Sequence, residues 1–70
     1  MFNNKYRKTM KKIEEEIHEA RFWLRLYNRL LRNDKNADEY TRARYNRACR
    51  NYYEKLENLK GMREYLRNSV

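Results

Sequence analysis

The chain predicts an all-α fold: an antiparallel two-helix hairpin that dimerises into a four-helix bundle. Three observations lead there, namely a heptad stripe of apolar residues in the first half, one turn-like segment near the midpoint, and a second stripe that mirrors the first about that segment.

The first stripe runs from Tyr6 through Met10, Ile13, Ile17, Ala20, Leu24, Tyr27 and Leu31, at alternating steps of four and three residues. A helix advances about 100° per residue, so this spacing lays all eight on one face and predicts helix 1 over about 4–33. Periodicity stops in "NDKNAD", residues 33 to 38, and the turn is expected at about 34–37. Asn36, with Glu39 three places on, is the expected N-cap and capping-box pair of helix 2, about 38–67. The second stripe passes through Tyr45, Cys49, Tyr52, Leu56, Leu59, Leu66 and Val70, with Arg63 interrupting it and Met62 beside it. Gly61 is the local misfit, because glycine inside a helix costs about 1 kcal/mol relative to alanine, and it marks a place where helix 2 could end early.

If the chain doubles back about residue 36, Phe2 faces Val70, Tyr6 faces Leu66, Ile13 faces Leu59, Ala20 faces Tyr52 and Tyr27 faces Tyr45. Ile17 with Leu56 and Leu24 with Cys49 fall one residue off that mirror. Any two heptads mirror about some point; here the point coincides with the independently chosen turn. Small residues fall opposite large ones, which keeps the seam at constant width. Tyr27 and Tyr45 are expected to stack near the turn with their hydroxyls at the surface.

Bulk composition sets the limits. Seventy residues make one small domain with a modest core. Cys49, the sole cysteine, excludes an internal disulfide and acts as a small seam hydrophobe. Leu, Ile, Val and Phe together number 12 of 70, and with a net charge of +8 this resembles a disordered chain. The absence of proline, the single glycine and the sustained heptads weigh against disorder, and seven tyrosines take over part of leucine's role. The longest apolar run, Phe22-Trp23-Leu24, is far short of the ~20 residues that span a bilayer. The basic first twelve residues lack the apolar core of a secretory signal. A soluble, cytoplasmic protein is expected.

The flanks of helix 1 differ. One side carries Arg7, Lys11, Glu14, His18, Arg21, Arg25, Arg29 and Arg32. The other begins with Lys5, Lys12, Glu16 and Glu19 and turns apolar at Trp23, Leu26 and Leu30. Those three cannot all reach helix 2 if Leu24, Tyr27 and Leu31 do, so they are the expected homo-oligomer interface, a dimer being the simplest closure.

Chemistry is sparse. Glu15-x-x-His18 has the spacing of bundle metal ligands, yet helix 2 contributes no seam carboxylate. Lys11 and Lys12, four residues before Glu15 and Glu16, suit a solvated patch instead. His18 has no serine or cysteine nucleophile beside it, so neither metal, cofactor nor enzymatic activity is expected.

Charge is the remaining signal. Arginines outnumber lysines eleven to seven, and the planar guanidinium favours bidentate contact with phosphate. In "RARYNRACRNYY", residues 42 to 53, Tyr45, Ala48, Cys49 and Tyr52 turn inward while Arg44, Arg47 and Arg50 fan over the outer face, with Tyr53 at the edge. Together with Arg21, Arg25 and Arg29 they form the expected contact surface, one that holds phosphates or carboxylates without reading bases. The first functional expectation is a small accessory or regulatory protein that binds nucleic-acid backbone. The alternative is a non-enzymatic inhibitor or adaptor, of the kind phages and mobile elements encode, docking on an acidic host protein. Membrane attachment through the basic N-terminus is disfavoured by the acidic segment that follows it.

Overall fold

The computed structural model describes residues 4–68, and side chains from Lys5 onward. It is all-helical: α1 spans Asn4–Asn33 and α2 spans Glu39–Asn68, thirty residues each, packed against one another as a hairpin. The result is a rod of 56 × 14 × 13 Å. Neither helix is long and apolar enough to cross a membrane.

Both stripes lie in the seam. Ile13, Ile17, Ala20, Leu56 and Leu59 are buried, and Leu24, Tyr52 and Leu66 pack against them. The remaining stripe positions, Tyr6, Met10, Tyr27, Leu31, Tyr45 and Cys49, are half-buried. Arg63 shares that condition: it occupies its seam position with Nε buried and unpartnered. The expected facing of Phe2 with Val70 lies outside the described residues.

Core chemistry changes along the rod. The middle is aliphatic; towards the turn it becomes aromatic. Trp23 stacks on Tyr52 with centroids 6.4 Å apart and planes 18° from parallel. Tyr27 also stacks on Tyr52, at 6.0 Å and 20°. Tyr27 does meet Tyr45 across the hairpin at 6.0 Å, but tilted by 49°. The expected Tyr27–Tyr45 stack is therefore corrected: Tyr52, one helical turn further along the seam from Cys49, takes the parallel position.

The turn is held by short polar contacts. The Asp34 amide donates to the Leu30 carbonyl at 2.9 Å, closing the last turn of α1. The Lys35 amide donates to Asn33 and the Ala37 amide to Asp34, at 3.0 and 3.3 Å. The Tyr45 hydroxyl donates to Asp34 Oδ2 at 3.4 Å, tying the turn to α2. The N-cap of α2 is Asp38, whose Oδ1 accepts the Thr41 amide at 2.8 Å. This corrects the assignment to Asn36. Both residue types cap, but α2 starts at Glu39, and a carboxylate at that position also faces the positive end of the helix dipole. At the other end, α2 continues through Gly61 without a break, and Gly61 has no positive φ.

Candidate functional site

Cross-hairpin contacts define the two long sides of the rod. On one, the Cys49 thiol donates to Asn28 Oδ1 at 3.5 Å and Arg67 approaches Glu14 at 3.9 Å. On the other lies a hollow lined by Tyr27, Thr41, Arg44, Tyr45 and Ala48, and further along a groove that includes Thr9, Ile13, Met62 and Leu66.

All six expected contact arginines are exposed, but they do not share a face. Residues three, four and seven places from Asn28 share its side, so Arg21, Arg25 and Arg32 stand there. Arg25 and Arg29 line a hollow with Asn28, Arg32 and Asn33. Arg44 opens on the opposite side, its guanidinium 5.9 Å from the centre of the Tyr40 ring. Helical spacing sends Arg47 and Arg50 to the outer surface of α2.

What unites them is position along the rod. Residues 20–33 and 40–53, which form the half nearest the turn, contain Arg21, Arg25, Arg29, Arg32, Arg42, Arg44, Arg47 and Arg50 and not one acid. Among the described residues none of the eight joins an ion pair; the two bridges present, Lys60–Glu57 and Arg67–Glu14, belong to the other half. Four acids border this sleeve directly, Glu19 and Glu54 at its far edge and Asp34 and Glu39 at the turn, and Asp34 and Asp38 are engaged in holding the turn. Accepting the Thr41 amide keeps the Asp38 carboxyl below its usual pKa. The expected contact set left out Arg32, although it shares the flank of Arg21, Arg25 and Arg29, and Arg42; counting charge by distance from the turn brings both in.

The expected oligomer residues also separate. Trp23 does reach α2, through Tyr52. Leu26 lines a hollow with Phe22, Arg25 and Arg29. Leu30 is half-buried. The residue missed is Phe22, 58% exposed and edge-to-face with Trp23 at 5.4 Å and 85°.

Cys49 is half-buried, and burial pushes its thiol pKa up, which lowers the thiolate fraction. Glu15 and His18 are exposed and border an open groove beside Tyr6 and Met10. Among the described residues no group of three or more His, Cys, Asp or Glu side chains is placed to hold a metal ion. No family model, curated protein or solved structure matches the chain.

Proposed function

We propose that the turn-proximal half of the hairpin binds the phosphate backbone of a nucleic acid, and that the protein is a small accessory or regulatory factor without catalytic activity. The observation that carries this is the acid-free sleeve of eight exposed arginines, none of them ion-paired within the described chain. Neutral solvation of a helix surface mixes signs, as the other half does with Glu14, Glu15, Glu16 and Glu19 among its lysines. A one-sign surface built from guanidinium groups suits a polyanion. The partner sits in the cytoplasm on this reading, where the single thiol of Cys49 stays reduced.

Fluorescence anisotropy with labelled single strands and duplexes tests this. About six phosphate contacts should lose on the order of a thousandfold in affinity between 50 and 200 mM salt. The double substitution Arg25→Gln with Arg29→Gln should reduce the log–log salt slope by about 1.4 to 1.8. Absence of binding at 50 mM salt overturns the proposal. Polyglutamate binding as tight as that of nucleic acid at equal charge would favour the alternative, an inhibitor or adaptor for an acidic protein surface.

Self-association completes the picture. The chain exposes 6219 Å², against roughly 4,800 Å² for a compact protein of its mass. The excess is larger than the ~800 Å² each partner contributes to a standard interface. A dimer closing into a four-helix bundle through the side bearing Trp23, Leu30, Met62 and Leu66 would cover it and leave the Asn28 side open. Light scattering should then return twice 8.9 kDa; a monomer at millimolar concentration would exclude the bundle.

A further inference from the structure

Two hollows on α1 are contiguous. One is lined by Phe22, Arg25, Leu26 and Arg29, the other by Arg25, Asn28, Arg29, Arg32 and Asn33, so Arg25 and Arg29 form the wall between an apolar platform and a polar, cationic shelf. We propose that this composite site takes a single-stranded stretch of nucleic acid, with an unpaired base stacked on Phe22 and the adjoining phosphates held by Arg25, Arg29 and Arg32. The proposal rests on the phosphate-binding function above and narrows its ligand.

The platform is not explained by packing. Phe22 lies off the seam, and with 58% of its surface exposed it is the least buried of the phenylalanine, tryptophan, leucine and isoleucine side chains in the described chain. Its ring neighbour among the described residues, Trp23, meets it edge-to-face, so the ring is restrained on one side and open on the rest. Trp23 is itself fixed by stacking on Tyr52. The platform is therefore linked through two rings to the hairpin seam, and a ligand ring landing on it meets a side chain already restrained on one side, which lowers the ordering cost of binding.

Two features choose the occupant. Every charged side chain over residues 20–33 is an arginine, which repels cationic ligands and attracts a polyanion. In a duplex each base face is covered by its neighbours; only an unpaired base offers a face to an aromatic side chain. Asn28 and Asn33 add amide donors and acceptors on the shelf, able to hydrogen-bond phosphate oxygens or base edges. Outward Arg and Phe on one stretch of helix thus go beyond holding backbone: they provide for bases as well.

The sole tryptophan is a built-in reporter, since Trp23 lies 5.4 Å from the Phe22 ring. The experiment titrates the intact chain at 50 mM salt with a thymidine decamer, an abasic strand of equal charge, and a duplex of equal charge. The thymidine strand should change Trp23 fluorescence and bind about tenfold or more tightly than the abasic strand. Phe22→Ala should abolish that difference while leaving abasic and duplex affinities unchanged, and Phe22→Tyr should restore it. Because Phe22 is exposed, far-ultraviolet circular dichroism of Phe22→Ala should match the parent. Equal affinity for thymidine and abasic strands, or a preference that survives Phe22→Ala, overturns the stacking proposal and leaves phosphate binding standing. Failure of all three ligands to bind overturns both.

Discussion

Trp23 of α1 lies over Tyr52 of α2, near parallel and 6.4 Å away, and Tyr27 shares the same tyrosine from the next turn. The turn-proximal half has no fully buried aliphatic residue beyond Ala20, so these rings, with half-buried Leu24, supply much of the apolar contact between the helices there. An aromatic side chain carries a large apolar area, and a good ring pair adds to it. Trp23→Ala is expected to cost about 2 kcal/mol, less than a fully buried tryptophan, and to lower Tm by roughly 10 °C. Thermal melts followed by circular dichroism check this, and a double-mutant cycle with Tyr52→Ala should return a favourable coupling. An unchanged Tm for Trp23→Ala would mean that the rings meet without holding the hairpin.

Asp38 gives the hairpin a pH dependence of known sign. Its carboxylate accepts the Thr41 amide, a bond made to the charged form, so its folded pKa lies below the usual 3.8. A depressed folded pKa contributes stability that is present above the unfolded value and lost as pH falls through the folded one. An asparagine in the same place would cap without titrating. The prediction is that the Tm of the parent falls more steeply than that of Asp38→Asn as pH drops below about 4. Parallel curves would show that the cap is not charge-dependent.

Much of this was legible in the sequence, because a heptad is a direct record of which side of a helix stays dry. The helices and their seam follow from the spacing of Tyr6 to Leu31 and of Tyr45 to Leu66. What escaped depended on choices between equivalent neighbours. Asn36 and Asp38 are both good caps two residues apart, and only the backbone decides which one meets Thr41. Tyr45 and Tyr52 both lie in the seam, and ring tilt selects Tyr52 for stacking. For the candidate site, the arginines could be read one by one, but their common feature is distance from the turn, which appears only when the two helices are laid side by side. Phe22 belongs to the longest apolar run, and the phase set by Ala20 and Leu24 already turns it away from the seam; it escaped because it falls between the basic flank and the apolar flank of Trp23, Leu26 and Leu30 and belongs to neither.

Gly61 should be replaceable at a gain. It lies within α2 at negative φ, and a Cβ built there meets nothing within 4 Å. No steric or conformational reason for glycine remains, while its backbone entropy still opposes the helix. Gly61→Ala is expected to stabilise the hairpin by about 1 kcal/mol and to raise Tm by about 4–8 °C. A loss of stability would point to close approach of another chain over this position, which dilution of the sample would reveal as a concentration-dependent Tm.

Arg63 is the other seam anomaly, and its removal separates two effects. Its Nε is buried without a partner, which carries a desolvation cost, while its aliphatic stem still covers neighbouring apolar surface. Arg63→Leu keeps the apolar cover, removes the unsatisfied donor and completes the heptad between Leu59 and Leu66. It is expected to stabilise by about 1–2 kcal/mol. Arg63→Ala removes the donor and the cover together, so it should gain less or nothing. Urea unfolding decides: the midpoint should rise for leucine with the slope unchanged. If leucine and alanine both destabilise, the guanidinium is bound to water or to a partner that makes the buried nitrogen favourable, and the seam charge is a stabilising element of the hairpin.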